Sequence, residues 1–238
     1  MDAPKVFIGV GHGGSDPGAV ANGLREEDIN LVTALACNAE LVRHGVITLM
    51  SRTKDEEDTL RQEINECNAF DPALAVDLHH NAGGGDGAEA FHHYGGGTGK
   101  TLAQNILNEL VALGQNSRGA KWRRDTDGSD WYGFIRETKC PAVIVEYAFL
   151  DHAKDHEAVD TVEEQQANGV ATAKGILKTL GIKYIEPNAV TYRVVLSEHK
   201  TREEADAALR KAHKLLGEAQ VALSNLDAQM RKTEIVEG

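Results

Sequence analysis

The sequence predicts an α/β fold: an open, mostly parallel, twisted sheet with helices on both faces, plus a small C-terminal strand-helix appendage. Three observations carry this. Short apolar runs alternate with amphipathic segments of helical period from residue 5 to about 180. Glycine turns separate them, as at Gly45 and Gly95-Gly96-Gly97. The chain has 238 residues, enough for one large domain and a short addition.

Taken in order, Lys5–Val10 is a buried strand running into the turn Gly11-His12-Gly13-Gly14. Asp28–His44 is a helix, because Ile29, Val32, Leu35, Ala36, Ala39 and Val42 recur at helical spacing and Gly45 stops it. Val46–Met50 is a second strand and Asp55–Phe70 a polar helix. Ala73–Leu78 is a buried strand ending at His79, and Ala88–Tyr94 another, broken by the glycine triplet. Thr98–Leu113 is helical. Arg118–Tyr132, rich in Gly, Asp and Arg without a period, reads as a loop. Ala142–Tyr147 is an apolar strand carrying Glu146, and Asp160–Leu180 is the closing helix.

The expected domains are 1–183, a linker at 184–190 containing Pro187 and Asn188, and a module at 191–238 for association or targeting. In the last, Thr191–Leu196 is a strand and Thr201-Arg202-Glu203-Glu204 a capping box opening a long helix. Leu209, Ala212, Leu216, Ala219, Leu223, Leu226 and Met230 alternate by three and four, a seam of about three heptads. The seam suits a homo-oligomer or packing on the chain's own first domain.

Net charge is −12, carried entirely before the neutral tail at 191–238. With no Lys/Arg-rich run, nucleic acid is not an expected partner. No apolar run approaches the roughly 18–20 residues of a membrane span. The start of the chain has only a five-residue apolar run, Val6–Val10, so no signal peptide is evident and synthesis in the cytoplasm is expected. Cys37, Cys67 and Cys140 are odd in number and widely spaced, as reduced thiols are.

Polar residues at the ends of buried strands mark the candidate site, because ligands bind at the carboxyl ends of strands in open α/β sheets. These are His12, His79 and Glu146, with Glu26 ahead of the first helix. Two imidazoles and one carboxylate form a ligand set for a catalytic zinc, leaving the other carboxylate to handle protons. An acid inside Pro141–Leu150 needs a partner or a task. His92 and His93 are strand neighbours facing opposite ways, so they make a poor metal pair. No phosphate-binding glycine loop of the G-x-x-x-x-G-K-[ST] type occurs, and Ser15 and Ser129 lack a nucleophile elbow. Neither His12 nor His79 has Glu three residues on, which argues against a zinc carboxypeptidase.

The stretch Gly11-His12-Gly13-Gly14-Ser15-Asp16-Pro17-Gly18-Ala19, followed by Gly23-Leu24-Arg25-Glu26-Glu27-Asp28-Ile29-Asn30, resembles the opening of the Amidase_3 family. These are zinc-dependent N-acetylmuramoyl-L-alanine amidases. Leu78-His79-His80-Asn81-Ala82 resembles the second signature of the family and Pro141–Leu150 the third. Arg118-Gly119-Ala120-Lys121 and Phe134-Ile135-Arg136 also fall where the family has similar residues, and the likeness spans about Lys5 to Leu180. It implies His12, Glu26 and His79 as zinc ligands and Glu146 as the catalytic acid/base. Asn81, Arg136 and Trp131 are candidates for binding substrate. Asp77 and His80 depart from the family pattern, and His80, beside the implied ligand, faces away from it on an extended strand. The implied substrate is bacterial peptidoglycan, cut between N-acetylmuramic acid and L-alanine. With no evident export signal, the resemblance points to an endolysin that reaches the wall during host-cell lysis, with a bacterial autolysin as the alternative of the same chemistry. A non-catalytic wall-binding protein on the same fold is the alternative, although all four site residues are present. The tail begins like a peptidoglycan-binding SPOR domain, at Tyr192-Arg193-Val194-Val195 and Thr201–Ala205, but lacks the second strand-helix half.

Overall fold

The structure is a computed structural model describing residues 3–187, so the expected strand and helix of the tail lie outside the described residues. In order, the elements are β1 (Lys5–Val10), β2 (Val20–Ala21), β3 (Leu24–Arg25), α1 (Glu26–Arg43), β4 (Ile47–Met50), α2 (Leu60–Phe70) and β5 (Leu74–Asn81). There follow β6 (Ala88–His92), α3 (Gly97–Ala112), β7 (Ser117–Lys121), α4 (Gly133–Glu137), β8 (Ala142–Phe149), α5 (Ala153–His156) and α6 (Val162–Thr179). The six-stranded sheet has the order β4-β1-β5-β8-β6-β7. Strands β4, β1, β5 and β8 run parallel, β6 is antiparallel to β8, and β7 is parallel to β6.

Period-two alternation divides each central strand between two cores. Val6, Ile8 and Val10, Leu74, Val76 and Leu78, and Val143, Val145 and Tyr147 face a large core shared with α1, α3 and α6. Phe7, Ala75, Ala142 and Ile144 face a smaller one with Ile64 and Cys67 of α2 and Phe134 and Ile135 of α4. Asp77, His79 and Glu146 continue the second series. The same alternation thus puts three polar side chains on the sheet face covered by α2 and α4.

Several boundaries differ from the sequence reading. The first helix begins at Glu26, two residues early, so Glu26 belongs to its first turn. Helix α2 begins at Leu60, because Thr59 and Gln62 form a capping box there. The preceding Asp55 and Glu57 instead accept from the backbone N–H groups of Gly14 and Ser15, both at 2.8 Å. The expected loop at 118–132 opens with an edge strand, β7. Cys67 and Cys140, far apart in sequence, pack into the same smaller core, and all three cysteines are free.

Helices α1 and α6 cross in close contact at Gly169. A Cβ there would lie 2.2 Å from the carbonyl oxygen of Thr33, a backbone atom that has no room to yield. Gly169→Ala is therefore expected to destabilise the fold by about 1–3 kcal/mol, as overpacking does. Chemical denaturation checks this, and an unchanged midpoint would show that the helices separate at little cost.

Candidate metal centre and catalytic carboxylate

The turn after β1 is built around Gly11 and His12. A side chain at Gly11 would overlap the His79 ring, with its Cβ 2.2 Å from the nearest ring atom. His12 has φ 64°, a left-handed conformation that turns its ring back toward the sheet end. Gly18 (φ +64°) passes so near that a Cβ would sit 2.6 Å from both His12 Cδ2 and Glu26 Oε2.

Arg52, only 2% exposed, anchors this corner. Its guanidinium donates to the carbonyls of Val10 at 3.0 Å, Gly11 at 3.2 Å and Glu27 at 2.8 Å. It thereby ties the end of β1, just ahead of His12, to the start of α1, which carries Glu26.

His12, Glu26 and His79 converge, with one possible ligand atom from each lying within 4.8 Å of the others. Glu26 Oε2 is 3.2 Å from His12 Nε2, and Oε1 is 2.9 Å from His79 Nδ1. The far nitrogen of each ring is also held. Asp16 Oδ2 lies 2.8 Å from His12 Nδ1, and Asp77 Oδ2 lies 3.3 Å from His79 Nε2. A carboxylate behind each imidazole fixes ring orientation and raises ligand basicity. Glu26 itself is fixed by the backbone, accepting from the N–H groups of Ala19 at 2.8 Å and His80 at 3.0 Å. Burial works against its charge, but hydrogen bonds from His12 and His79 outweigh it and hold the carboxyl well below the usual range. Two neutralisable imidazoles around an ionised carboxylate suit a zinc ion that keeps a position open.

His80 lies on the other face of β5. It is 2% exposed, its Nδ1 is 2.7 Å from Asn30 Oδ1, and its ring packs 5.1 Å from that of Tyr147. Burial depresses its pKa to about 3, so it is a neutral core residue.

Glu146 is the register partner of His79 across β5 and β8, and of Glu89 across β8 and β6. Its Oε2 is buried with no hydrogen-bond partner among the described residues. Burial raises its pKa to about 7; the charge of His79 opposes the rise, and the carboxylates of Glu26, Glu89 and Asp77 add to it. A carboxyl poised near neutrality beside a ligand cluster is suited to moving protons in both directions.

The cleft at His12 and His79 has a volume of about 270 Å³ and is walled by Leu60, Glu63, Tyr132 and Phe134. Of the candidate substrate residues, Asn81 donates to Glu89 Oε1 at 3.2 Å. Arg136 donates to the carbonyls of Asp130 at 2.7 Å and Trp131 at 3.1 Å, which holds the preceding loop. Trp131 is 45% exposed, with the Arg123 guanidinium 3.9 Å above its ring. None of Asn81, Arg136 and Trp131 lines this cleft.

Residues that the sequence reading did not assign complete the arrangement. Asp77 precedes His79 by two and so shares its strand face, a signal that was available. Glu63 of α2 sits over Asp77 and Gly9; burial and Asp77 push its carboxyl well above the ordinary range. Glu89 takes Arg118 at 2.7 Å and also Lys121, and these contacts outweigh burial and keep it ionised.

Comparison with known proteins follows the same lines. The Amidase_3 model, described as N-acetylmuramoyl-L-alanine amidase, matches residues 6–178. The chain is 33% identical over 218 residues to the N-acetylmuramoyl-L-alanine amidase CwlM of Bacillus licheniformis, covering 87% of this chain and 80% of that one. It is 33% identical over 189 residues to the endolysin of Bacillus phage SPP1, covering 75% and 66%. The structure of the N-acetylmuramoyl-L-alanine amidase AmiC2 of Nostoc punctiforme aligns with a TM-score of 0.68 at 26% identity, over 75% of this chain and 97% of that chain.

Proposed function

This chain belongs to the Amidase_3 family of N-acetylmuramoyl-L-alanine amidases, and from that premise we propose how its residues divide the work of cutting peptidoglycan. The bond is the amide between the lactyl carboxyl of N-acetylmuramic acid and L-alanine. His12, Glu26 and His79 would hold a zinc ion, with Asp16 and Asp77 orienting the two imidazoles. Zinc bound there supplies Lewis-acid polarisation of the scissile carbonyl and of the attacking water.

Glu146 takes a proton from that water as its oxygen attacks the carbonyl carbon. It then delivers the proton to the departing nitrogen, which leaves as the free amine of L-alanine, while the lactyl carboxylate stays on the sugar. Its unpartnered Oε2 leaves one oxygen free for this exchange. The observation that carries the reading is the register pair His79 and Glu146, which sets a carboxyl of near-neutral pKa beside the ligand cluster. The likeness to a phage endolysin supports a role in wall lysis after release from the cytoplasm.

Mass spectrometry of material released from purified peptidoglycan tests the bond. Intact stem peptides with a free N-terminal L-alanine are expected. Products cut within the stem peptide would make the chain a peptidase, and an absence of release would make it a wall-binding protein.

A further inference from the structure

We propose a second, structural metal site formed by Asp86, His152 and Asp155, separate from the His12, Glu26 and His79 cluster, for a divalent first-row ion of the zinc class.

Three ligand atoms meet there within 4.8 Å of one another. His152 Nδ1 is 3.6 Å from Asp86 Oδ1 and 3.6 Å from Asp155 Oδ1. All three atoms are buried, and none has a hydrogen-bond partner among the described residues. Asp155 is fully buried, and its carboxylate is half used: Oδ2 accepts from the N–H groups of Gly87 and Phe149, both at 2.8 Å. Its Oδ1 is aimed into the cluster and receives nothing. An orphaned carboxylate oxygen at zero exposure is costly unless something cationic completes it.

The spacing separates two explanations. A direct hydrogen bond between His152 and an aspartate would place Nδ1 at about 2.7–3.2 Å from an oxygen. Ligands about 2.1 Å from a shared tetrahedral ion lie about 3.4 Å from each other. The two 3.6 Å separations match the second arrangement. One imidazole with two carboxylates favours zinc or manganese over calcium or magnesium, which prefer oxygen alone.

The position gives the site a task. Asp86 belongs to the β5–β6 loop, which also holds Gly83, Gly84, Gly85 and Gly87. His152 and Asp155 follow β8. Asp151 of that turn already accepts from the N–H groups of Gly83 and Gly84 at 2.9 Å. An ion bridging Asp86 to His152 and Asp155 would pin a glycine-rich loop whose free backbone entropy is high. The pinned segments continue from β5 and β8, the strands carrying His79 and Glu146.

The test is metal content per chain, measured on the full-length protein after saturation with zinc or manganese and removal of excess ion. The unsubstituted chain is expected to hold about two equivalents. His152→Ala and Asp86→Asn should each hold one, with a lower thermal midpoint and normal wall hydrolysis as evidence of correct folding. His79→Ala should also hold one, but without hydrolysis, which keeps this site distinguishable from the cluster above. Asp155 is left intact because its Oδ2 supports the loop in any case. A single equivalent in the unsubstituted chain, lost with His79→Ala and untouched by His152→Ala, would overturn the proposal. Two equivalents retained in His152→Ala would do the same.

Discussion

Glu146→Gln should leave the chain folded and its catalytic metal bound while lowering kcat by roughly 10²–10⁴-fold, the range for loss of a general acid/base. Glutamine keeps the shape and one carbonyl oxygen but moves no proton. Turnover on soluble muropeptide, read beside metal content, checks it; substantial turnover in a metal-replete variant would remove Glu146 from proton transfer. A second readout needs no substrate. In the metal-free protein Glu146 has its pKa raised from 4.5 to about 7, chiefly by burial. The folded state therefore holds a proton that the unfolded chain releases between those pH values, and stability from this group falls as pH rises through the window. The glutamine variant lacks that loss. Relative to the parent, its unfolding free energy should improve between about pH 4.5 and pH 7, by about 2–3 kcal/mol in all. A difference that stays flat with pH would mean that the carboxyl is not desolvated in the folded chain.

His79→Ala and His80→Ala, neighbours in sequence, should fail in opposite ways. The first removes an imidazole held between Glu26 and Asp77, so the catalytic metal and hydrolysis should both be lost while the fold persists. The second removes a core side chain bonded to Asn30 and packed on Tyr147. It should retain the metal but lose about 2–4 kcal/mol of stability through a cavity and an unpaired amide. Metal analysis of both, with denaturation curves, separates them. Zinc lost from His80→Ala and retained by His79→Ala would reverse the ligand assignment.

These cases show what the sequence made readable. His79 and Glu146 stood out because a polar residue at the end of a buried strand needs a reason, and strand alternation already turned His80 the other way. Strand β7 was unreadable for the converse reason. Its residues, Ser-Arg-Gly-Ala-Lys, are polar and half exposed, because an edge strand in this position buries little. It nevertheless supplies Arg118 and Lys121 to Glu89. The start of α2 was misplaced because the acidic run from Asp55 to Asp58 looks like a first helical turn, whereas Asp55 and Glu57 hold the loop after β1 instead. The cluster at Asp86 and His152 joins residues 66 apart through loops, where no period reports proximity.

The two main-chain amides that grip Glu26 have a consequence for the order of assembly. They come from Ala19 and His80, on separate segments, and each holds one carboxylate oxygen through the main chain. A carboxylate held by the main chain is expected to keep its place without an ion, in contrast to ligands of small domains that collapse only around their metal. A chelator should then yield a dormant protein with its native shape, and added ion should restore activity at the speed of binding, without a refolding step.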